Sequence, residues 1–372
     1  MKSDSQARGR GAELSRRHLL AGAAAAGAAA GAGVVSAYAF PGAGAGKLLL
    51  DDTAICRSDV TRIADGIPAP APPGPLKKLK FTWNAAAVCS VTIPVAVTQG
   101  FFNKHGLDVE MVNFSGATDQ LLEAIGTGKA DAGIGLALRW LKPLEQGFDV
   151  KITAGTHGGC LRLLVPSDSG INDLAGLKGK SIAVTDIASP AKNFFSVLLA
   201  RSGLDPEADV DWRVYPGELL RGAVEKGETH ALADLDPRTY LFLKDGKLKE
   251  IASNLQDEYA HRTCCIVGIR GSLVREDREA ARGLTLAVLD AAHWTVANPR
   301  GAAEVFAPYA PKASIEDLEK MIRYHTHQHN PVGDALKKEL ALYTDELKLV
   351  RVIKPSTDTA KFAERIYEGV LA

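Results

Sequence analysis

Cysteine and histidine side chains stand where short apolar runs of the sequence meet. The stretch "THGGCLRLLV" places His157 and Cys160 between two runs that predict strands, and Cys264 and Cys265 open a third. Successive residues of a strand face opposite sides, so only one of this adjacent pair can face Cys160. Three interpretations stay open: a disulfide from Cys160 to one of the pair, buried free thiols, or a soft-metal site of Cys89, Cys160 and Cys265 with His157.

A histidine-rich stretch, "YHTHQHN", precedes Pro331. His325 and His329 have the i, i+4 spacing that places two imidazoles on one helix face, where they can bind a metal. No glutamate lies between them, so the metalloprotease pattern is absent from this stretch. The sequence favours a solvated helix end, and we expect neither a metal nor a cofactor in the protein.

Further candidate ligand groups lie at the ends of predicted strands. Ser90 follows Cys89 in a turn before a helix, where a hydroxyl can cap the helix and free amides suit an anion. Gly135 either lets the backbone approach a ligand or serves helix packing. Thr156 and His157 end a strand, where His157 is either a structural histidine or a donor to an oxyanion.

The segments that hold these residues alternate between two periodicities. Stretches of period two predict strands at 80–84, 107–114, 130–137, 149–156, 178–186, 209–216, 229–236 and 264–274. Helical spacing fills the intervals at 92–102, 117–128, 188–204 and 217–228, and helices follow residue 275. This order predicts an α/β protein of two βα lobes, with the second lobe inserted into the first and a helical C-terminal region. Ligands of such folds bind at the carboxyl ends of the strands, in the crevice between the lobes.

The N-terminal residues predict export rather than fold. "SRRHLL" sets Arg16 and Arg17 before a weakly apolar run, and "AYA" ends at Ala39 with the small residues that a signal peptidase reads. We therefore expect residues 1–39 to be a twin-arginine type signal peptide. The Pro- and Gly-rich residues 40–76 predict an extended tether.

Composition narrows the function further. The 372 residues are 46% hydrophobic and 24% charged, which suffices for two domains, and the net charge of zero gives no broad footprint for nucleic acid. An exported protein can form disulfides, but five cysteines leave at least one thiol unpaired within the chain.

Four stretches, in this order, resemble one family. They are "IPVAVTQGFFNKHGLDVEMVNFSGATDQLLEAIGTGKADAGIG", "DSGINDLAGLKGKSIAV", "ASPAKNFFSVLLARSGLDP" and "VANPRGAAEVFA". The likeness, over about residues 78–370, is to the periplasmic substrate-binding proteins of nitrate, sulfonate, bicarbonate and thiamine-precursor ABC transporters. It implies a type II periplasmic binding protein fold, with 77–160 and 265–372 as lobe one and 161–264 as lobe two.

The resemblance also implies a function and residues that carry it. A monomeric periplasmic protein would close about its hinge on a small solute and deliver it to an ABC permease and ATPase, without catalysis. Ser189 would hold a ligand oxygen, and Asp236 matches a family Glu-Pro motif in which Leu235 and Arg238 replace two aromatic residues. Asp234 or Asp236 would suit a cationic or hydroxyl-bearing solute rather than a plain anion. The alternatives are a periplasmic metal-binding or sensor protein and a pyrimidine-synthase-like enzyme on the same fold.

Overall fold

Two five-stranded sheets organise the chain. The computed structural model describes residues 74–114 and 118–372, so the predicted signal peptide and nearly all of the predicted tether lie outside the described residues. The strands are β1 Lys77–Trp83, β2 Leu107–Asn113, β3 Ala132–Leu136, β4 Val150–His157, β5 Leu161–Pro166, β6 Lys180–Val184, β7 Val210–Val214, β8 Ala231–Leu235, β9 Leu248–Ser253 and β10 Cys265–Arg270.

The two sheets share one strand pattern. Their orders are β2-β1-β3-β10-β4 and β7-β6-β8-β5-β9. In each sheet three neighbouring strands run parallel, and the fourth runs antiparallel to both of its neighbours. That fourth strand, β10 or β5, is the first strand after the chain arrives from the other sheet.

The chain passes between the sheets twice. It leaves the first sheet after β4 and enters the second at β5, so residues 158–160 form the outward crossing. It returns between β9 and β10, through residues 254–264. This confirms the predicted α/β fold with a second sheet inserted into the first.

Helices surround the sheets, and a run of them forms the C-terminal region. They span Thr92–Thr98, Phe101–Lys104, Thr118–Gly126, Ala137–Glu145, Pro190–Arg201, Leu220–Glu225, Arg238–Leu243, Gly271–Glu276, Arg278–Ala297, Pro299–Phe306, Ile315–Tyr324, Gly333–Leu349 and Thr359–Ile366. None of those within the described ranges is long and apolar enough to cross a membrane.

Local chemistry sets several helix boundaries. The helix predicted over 92–102 is broken because Gly100 takes a left-handed conformation with φ of 71°, which only glycine adopts cheaply. Ser189 caps the helix that begins at Pro190 by accepting a hydrogen bond from the Lys192 amide. The strand predicted over 264–274 ends at Arg270, and its last residues form a short helix instead.

Large apolar side chains fill the space between the sheets and the helices. Trp83, Trp140, Phe102, Phe194 and Phe195 are fully buried in one continuous core. Full burial of such side chains is worth roughly 1.5–3 kcal/mol each, which fixes how the helices seat on the sheets. The strand ends that carry the polar candidates are therefore held on a rigid support.

Candidate functional site

Five soft or titratable side chains meet where the chain passes between the sheets. One comes from the turn after β1, one from the end of β4, one from the outward crossing and two from the return. They are Cys89, His157, Cys160, Cys264 and Cys265, and we call them the thiol–imidazole cluster. Carboxyl ends of parallel strands lie at one edge of a sheet, which is why distant segments converge here.

The sulfur atoms of this cluster lie in close pairs. Sγ of Cys160 is 3.7 Å from Sγ of Cys264, and Sγ of Cys265 is 3.7 Å from Sγ of Cys89. Of the adjacent pair, Cys264 therefore faces Cys160, as the alternation of a strand requires. All four cysteines that the structure describes have free, buried thiols, so the disulfide, one of the three interpretations left open, is not formed in this structure.

His157 joins the two halves of the cluster. It shares one triad of candidate ligand atoms with Cys89 and Cys160 and a second with Cys264 and Cys265, each within 4.8 Å. The ring is fully buried, and neither of its nitrogens has a hydrogen-bond partner among the described residues. Buried polar atoms are nearly always paired, so an unpaired imidazole of this kind needs an explanation.

Two glycines allow the outward crossing to run close to its neighbours. A Cβ on Gly158 would lie 2.0 Å from Oγ1 of Thr326, and one on Gly159 would lie 1.9 Å from the Asn254 carbonyl oxygen. The side-chain oxygen of Asn254 accepts hydrogen bonds from the amides of Cys160, at 2.8 Å, and of the next residue, at 2.6 Å. The motif "HGGC" thus sets a thiol against the returning strand.

Proximity redistributes the protons of the cluster. Hydrogen bonding from the Cys160 thiol lowers the pKa of Cys89 and of Cys264 well below the ordinary thiol value. Hydrogen bonding and burial raise the pKa of Cys160 and of Cys265 well above it. Burial opposes charge on His157, yet its pKa is raised because the Cys89 sulfur lies beside the ring. Thiolate character therefore alternates around the cluster.

The histidine-rich stretch is not a solvated helix end, which corrects the sequence prediction. The helix ends at Tyr324, and His325 adopts an extended conformation with ψ of 133°. His325 and His327 are buried, and both rings lie beside His157, with centroids 6.1 and 5.4 Å away. His329 instead lies 2.9 Å from Glu339, so the i, i+4 pair on one helix face does not exist.

A buried carboxylate draws that stretch inward. Asp236 is fully buried and accepts hydrogen bonds from Arg162 at 3.0 Å, the Tyr324 hydroxyl at 2.7 Å and His325 Nε2 at 3.0 Å. Burial opposes its charge, but His325 and Arg162 together lower the pKa of Asp236 far below its ordinary value. Every one of these contacts is internal, so Asp236 joins β5 to the end of the helix Ile315–Tyr324 and to His325.

The remaining predicted ligand residues lie apart from the cluster or are occupied by the protein. Ser90 Oγ donates to carbonyl oxygens of its own turn, at 2.7 and 2.8 Å, and the following helix has no side-chain cap, against the sequence prediction. A Cβ on Gly135 would lie 2.2 Å from the Trp140 indole, which is a packing requirement. Thr156 donates to the Cys265 carbonyl at 3.2 Å.

Lobe-two candidates are also engaged with their neighbours. Ser189 caps its helix, and Asp234 accepts a hydrogen bond from Arg238 at 2.6 Å. The structure thus unites the predicted residues Cys89, His157, Cys160 and Cys265 with Cys264, and leaves the others outside this cluster.

An open cavity lies near the amino end of the helix that Ser189 caps. Its volume is about 510 Å³. Four cationic side chains and a single acid are among its lining residues, which are Arg139, Lys142, Pro143, Ile187, Ala188, Lys192, Asn193, Glu207, Val350, Arg351 and Val352. Helices that follow strands of both sheets contribute to it, so the cavity lies where these helices meet. The amino-terminal dipole of the helix adds to its attraction for anions.

Sequence reasoning missed several contributors to these sites. Asn254 gave no signal, since a lone asparagine in a polar stretch has many uses, and His327 lies in the histidine-rich stretch but was not singled out as a ligand. Arg139 and Lys192 lie on helix faces that look ordinary in sequence, although both are buried. Ligands of such folds bind at the carboxyl ends of the strands, and only this rule, applied to the helices after β3 and β6, could have suggested Arg139 and Lys192.

Comparison with known proteins places the fold. The structure of the alkanesulfonate-binding protein SsuA from Xanthomonas axonopodis pv. citri, bound to MOPS, is 19% identical and superposes with a TM-score of 0.67 over 79% of this chain and 99% of that one. The nitrate-binding protein NrtA from Synechocystis PCC 6803 is 16% identical, with a TM-score of 0.66 over 81% and 88%. A Candida albicans protein described as having the generic periplasmic binding protein fold is 17% identical, with a TM-score of 0.64 over 79% and 96%.

These likenesses define the class of fold. The chain has the architecture of a periplasmic binding protein. It has two sheets that share one strand pattern, two crossings between them and a helical C-terminal region. The family model described as NMT1/THI5 like matches residues 90–302, more than half of the sequence, and the chain belongs to that family. No curated protein matches the sequence.

Proposed function

We propose that the protein is the solute-binding component of a periplasmic ABC importer. The observation that carries this is the cavity of about 510 Å³ between helices of the two sheets, with its excess of cationic lining residues. Small-ligand sites in proteins occupy about 300–1,000 Å³ and favour such interlobe clefts. The named functions of the sulfonate- and nitrate-binding structures support the same reading.

The solute is a small anion of the nitrate, bicarbonate, sulfonate or carboxylate type. Arg139 and Lys192 are buried at the cavity, where a cation binds an anion more strongly than in water. Arg139 lies 3.1 Å from the Asp186 carboxylate, so an incoming anion would share or replace an existing ion pair. This replaces the expectation, drawn from Asp234 and Asp236, of a cationic solute, because both acids are satisfied by arginines.

The lobes follow the two sheets. We assign 77–160 and 265–372 to lobe one and 161–264 to lobe two, which close about residues 158–160 and 254–264 when solute binds. Export by the twin-arginine signal of residues 1–39, a monomeric state, and docking to a permease and its ATPase complete the proposal. The protein binds without turnover.

Binding assays on the exported protein test this proposal. Nitrate, bicarbonate, short alkanesulfonates and small carboxylates are titrated by calorimetry, and native mass spectrometry detects any co-purified anion. Arg139→Gln is expected to weaken the best anion by at least about tenfold, since it removes a charge-assisted hydrogen bond. Arg323→Gln, an equal change of charge on an exposed side chain, is expected to leave binding unchanged.

Three results would contradict the proposal. One is the absence of binding across the panel together with no co-purified anion. The second is an equal loss of affinity in both arginine variants, which would indicate general electrostatics rather than this cavity. The third is formation of a product from a bound solute by the pure protein.

A further inference from the structure

The thiol–imidazole cluster has the composition of a metal site. Four cysteine sulfurs and one imidazole nitrogen converge from separate segments, and no carboxylate belongs to either triad. Thiolate and imidazole are the ligands of soft and borderline ions, whereas Mg²⁺ and Ca²⁺ take oxygen. The ligand chemistry therefore selects a thiophilic ion such as Cu(I) or Zn(II).

The spacing of each close sulfur pair fits two ligands of one ion. Metal–sulfur bonds of about 2.3 Å in a tetrahedral site place neighbouring sulfurs about 3.8 Å apart. Cys160 and Cys264 are separated by 3.7 Å at sulfur, and so are Cys89 and Cys265. A disulfide would instead require about 2.05 Å, so either pair would have to move by well over an ångström.

The unpaired imidazole is the independent observation. His157 is fully buried with both nitrogens unpaired, which costs roughly 1–3 kcal/mol for each polar group left unsatisfied. Two disulfides would leave those nitrogens as they are, and a free thiol such as that of Cys89 could offer one of them only a weak S–H donor. A metal ion bound beside the ring satisfies one nitrogen and neutralises the thiolates together.

We propose that the thiol–imidazole cluster binds one thiophilic metal ion of the Cu(I) or Zn(II) class. The ion takes its ligands from His157 and the surrounding thiols. Each ligating thiol loses its proton to solvent as its metal–sulfur bond forms, and no electron is transferred. This site is separate from the anion cavity and stands whether or not the protein serves an importer.

Metal titration of the whole exported protein tests the site. The protein is purified under reducing, oxygen-free conditions and stripped with a chelator. One arm adds Co(II) as a spectroscopic probe for Zn(II), followed by competition with Zn(II) itself. The other arm adds Cu(I) against a chromophoric Cu(I) chelator. We expect one equivalent to bind in at least one arm, with thiolate-to-metal charge-transfer absorption and release of protons.

Substitutions locate the bound ion. Cys160→Ser and Cys265→Ser are each expected to weaken binding more than about 100-fold, since even outer-shell changes cost 10–100-fold. Cys56→Ser is the matched control, because it removes a cysteine that lies outside the described residues and outside the cluster. His157→Gln is expected to shift the visible bands of the cobalt form, and an unchanged spectrum would overturn the ligand set.

The unaltered protein supplies a readout that does not depend on any variant folding. Bound metal should protect the cluster thiols from alkylation, counted by mass after quenching. Failure of both ions to bind or protect under reducing conditions would overturn the site. So would equal metal binding by Cys160→Ser, Cys265→Ser and Cys56→Ser.

Discussion

Replacing Asp236 by asparagine should destabilise the protein more at neutral pH than in acid. The carboxylate is fully buried and pairs with Arg162, Tyr324 and His325. An asparagine side chain at this position would keep the volume, but it would leave a buried guanidinium without this counter-charge and would place an amide among donors. Breaking a buried ion pair on one side costs about 3–5 kcal/mol. Arg162 retains a contact with Glu250, so we expect the lower end, about 3 kcal/mol.

The pH dependence follows from the lowered pKa of Asp236. The carboxylate is easier to ionise in the folded than in the unfolded chain, where its pKa is about 3.9. Its stabilising contribution is therefore complete above that value and is lost as the pH falls through the lower folded pKa. The difference in unfolding free energy between wild type and Asp236→Asn should shrink below about pH 4.

Urea unfolding of both proteins between neutral pH and about pH 3 measures this difference. Asp234→Asn is the control, since Asp234 is also buried but its partner Arg238 is 22% exposed at the side chain. We expect that variant to lose only about 1 kcal/mol. A deficit for Asp236→Asn that is under about 1 kcal/mol, or constant with pH, would refute the reasoning.

Three further substitutions test the architecture around the cluster. Gly135→Ala should cost about 1–3 kcal/mol in thermal unfolding, because its Cβ would meet the buried Trp140 indole. The control Gly222→Ala should be neutral or stabilising, because open space surrounds that position. Equal effects of the two substitutions would contradict this. Asn254→Ala should cost about 2–3 kcal/mol by removing the acceptor of two backbone amides at the crossing, and Asn254→Asp should recover most of it. Glu346→Gln should weaken the ion pairs that join the C-terminal helix to Arg201 and Arg262. X-ray scattering should then report a larger radius of gyration. An unchanged radius would exclude a role of Glu346 in holding the protein closed.

Much of the fold was predictable from periodicity. The stretches at 107–114 and 149–156 appear as β2 and β4. In β2 the more buried residues alternate with exposed ones along most of the strand, as a period of two predicts, whereas β4 is buried along nearly its whole length. β9 was missed because "LKEIAS" is half-buried along most of its length and lacks a clear apolar face. The single helix expected over 92–102 failed at Gly100, whose left-handed backbone outweighs the helical spacing around it.

The cluster was only partly predictable. Cys89, Cys160 and Cys265 could be grouped because all lie at strand ends that must meet at one edge. The place of His327 could not, since the helix before it ends only because Asp236 binds Tyr324 and His325. Such long-range hydrogen bonds leave no local pattern in the sequence. The same holds for Asn254, which acts through two amides almost a hundred residues away.

The position of the thiol–imidazole cluster has a mechanical consequence. Cys160 and Cys264 stand on the two crossing segments, and Cys265 follows at the start of β10, at the axis about which two lobes joined in this way would turn. A bond close to the axis of rotation exerts almost no torque against that rotation. A bond within the cluster would therefore oppose twisting and sliding of the lobes far more than their opening. The ion pair of Glu346 with Arg201 is the opposite case, because it bridges the helix Pro190–Arg201 that follows β6 and the C-terminal helix Gly333–Leu349. Resistance to twisting at the crossing segments and resistance to opening of the lobes would thus be set by different residues, and each could be changed without the other.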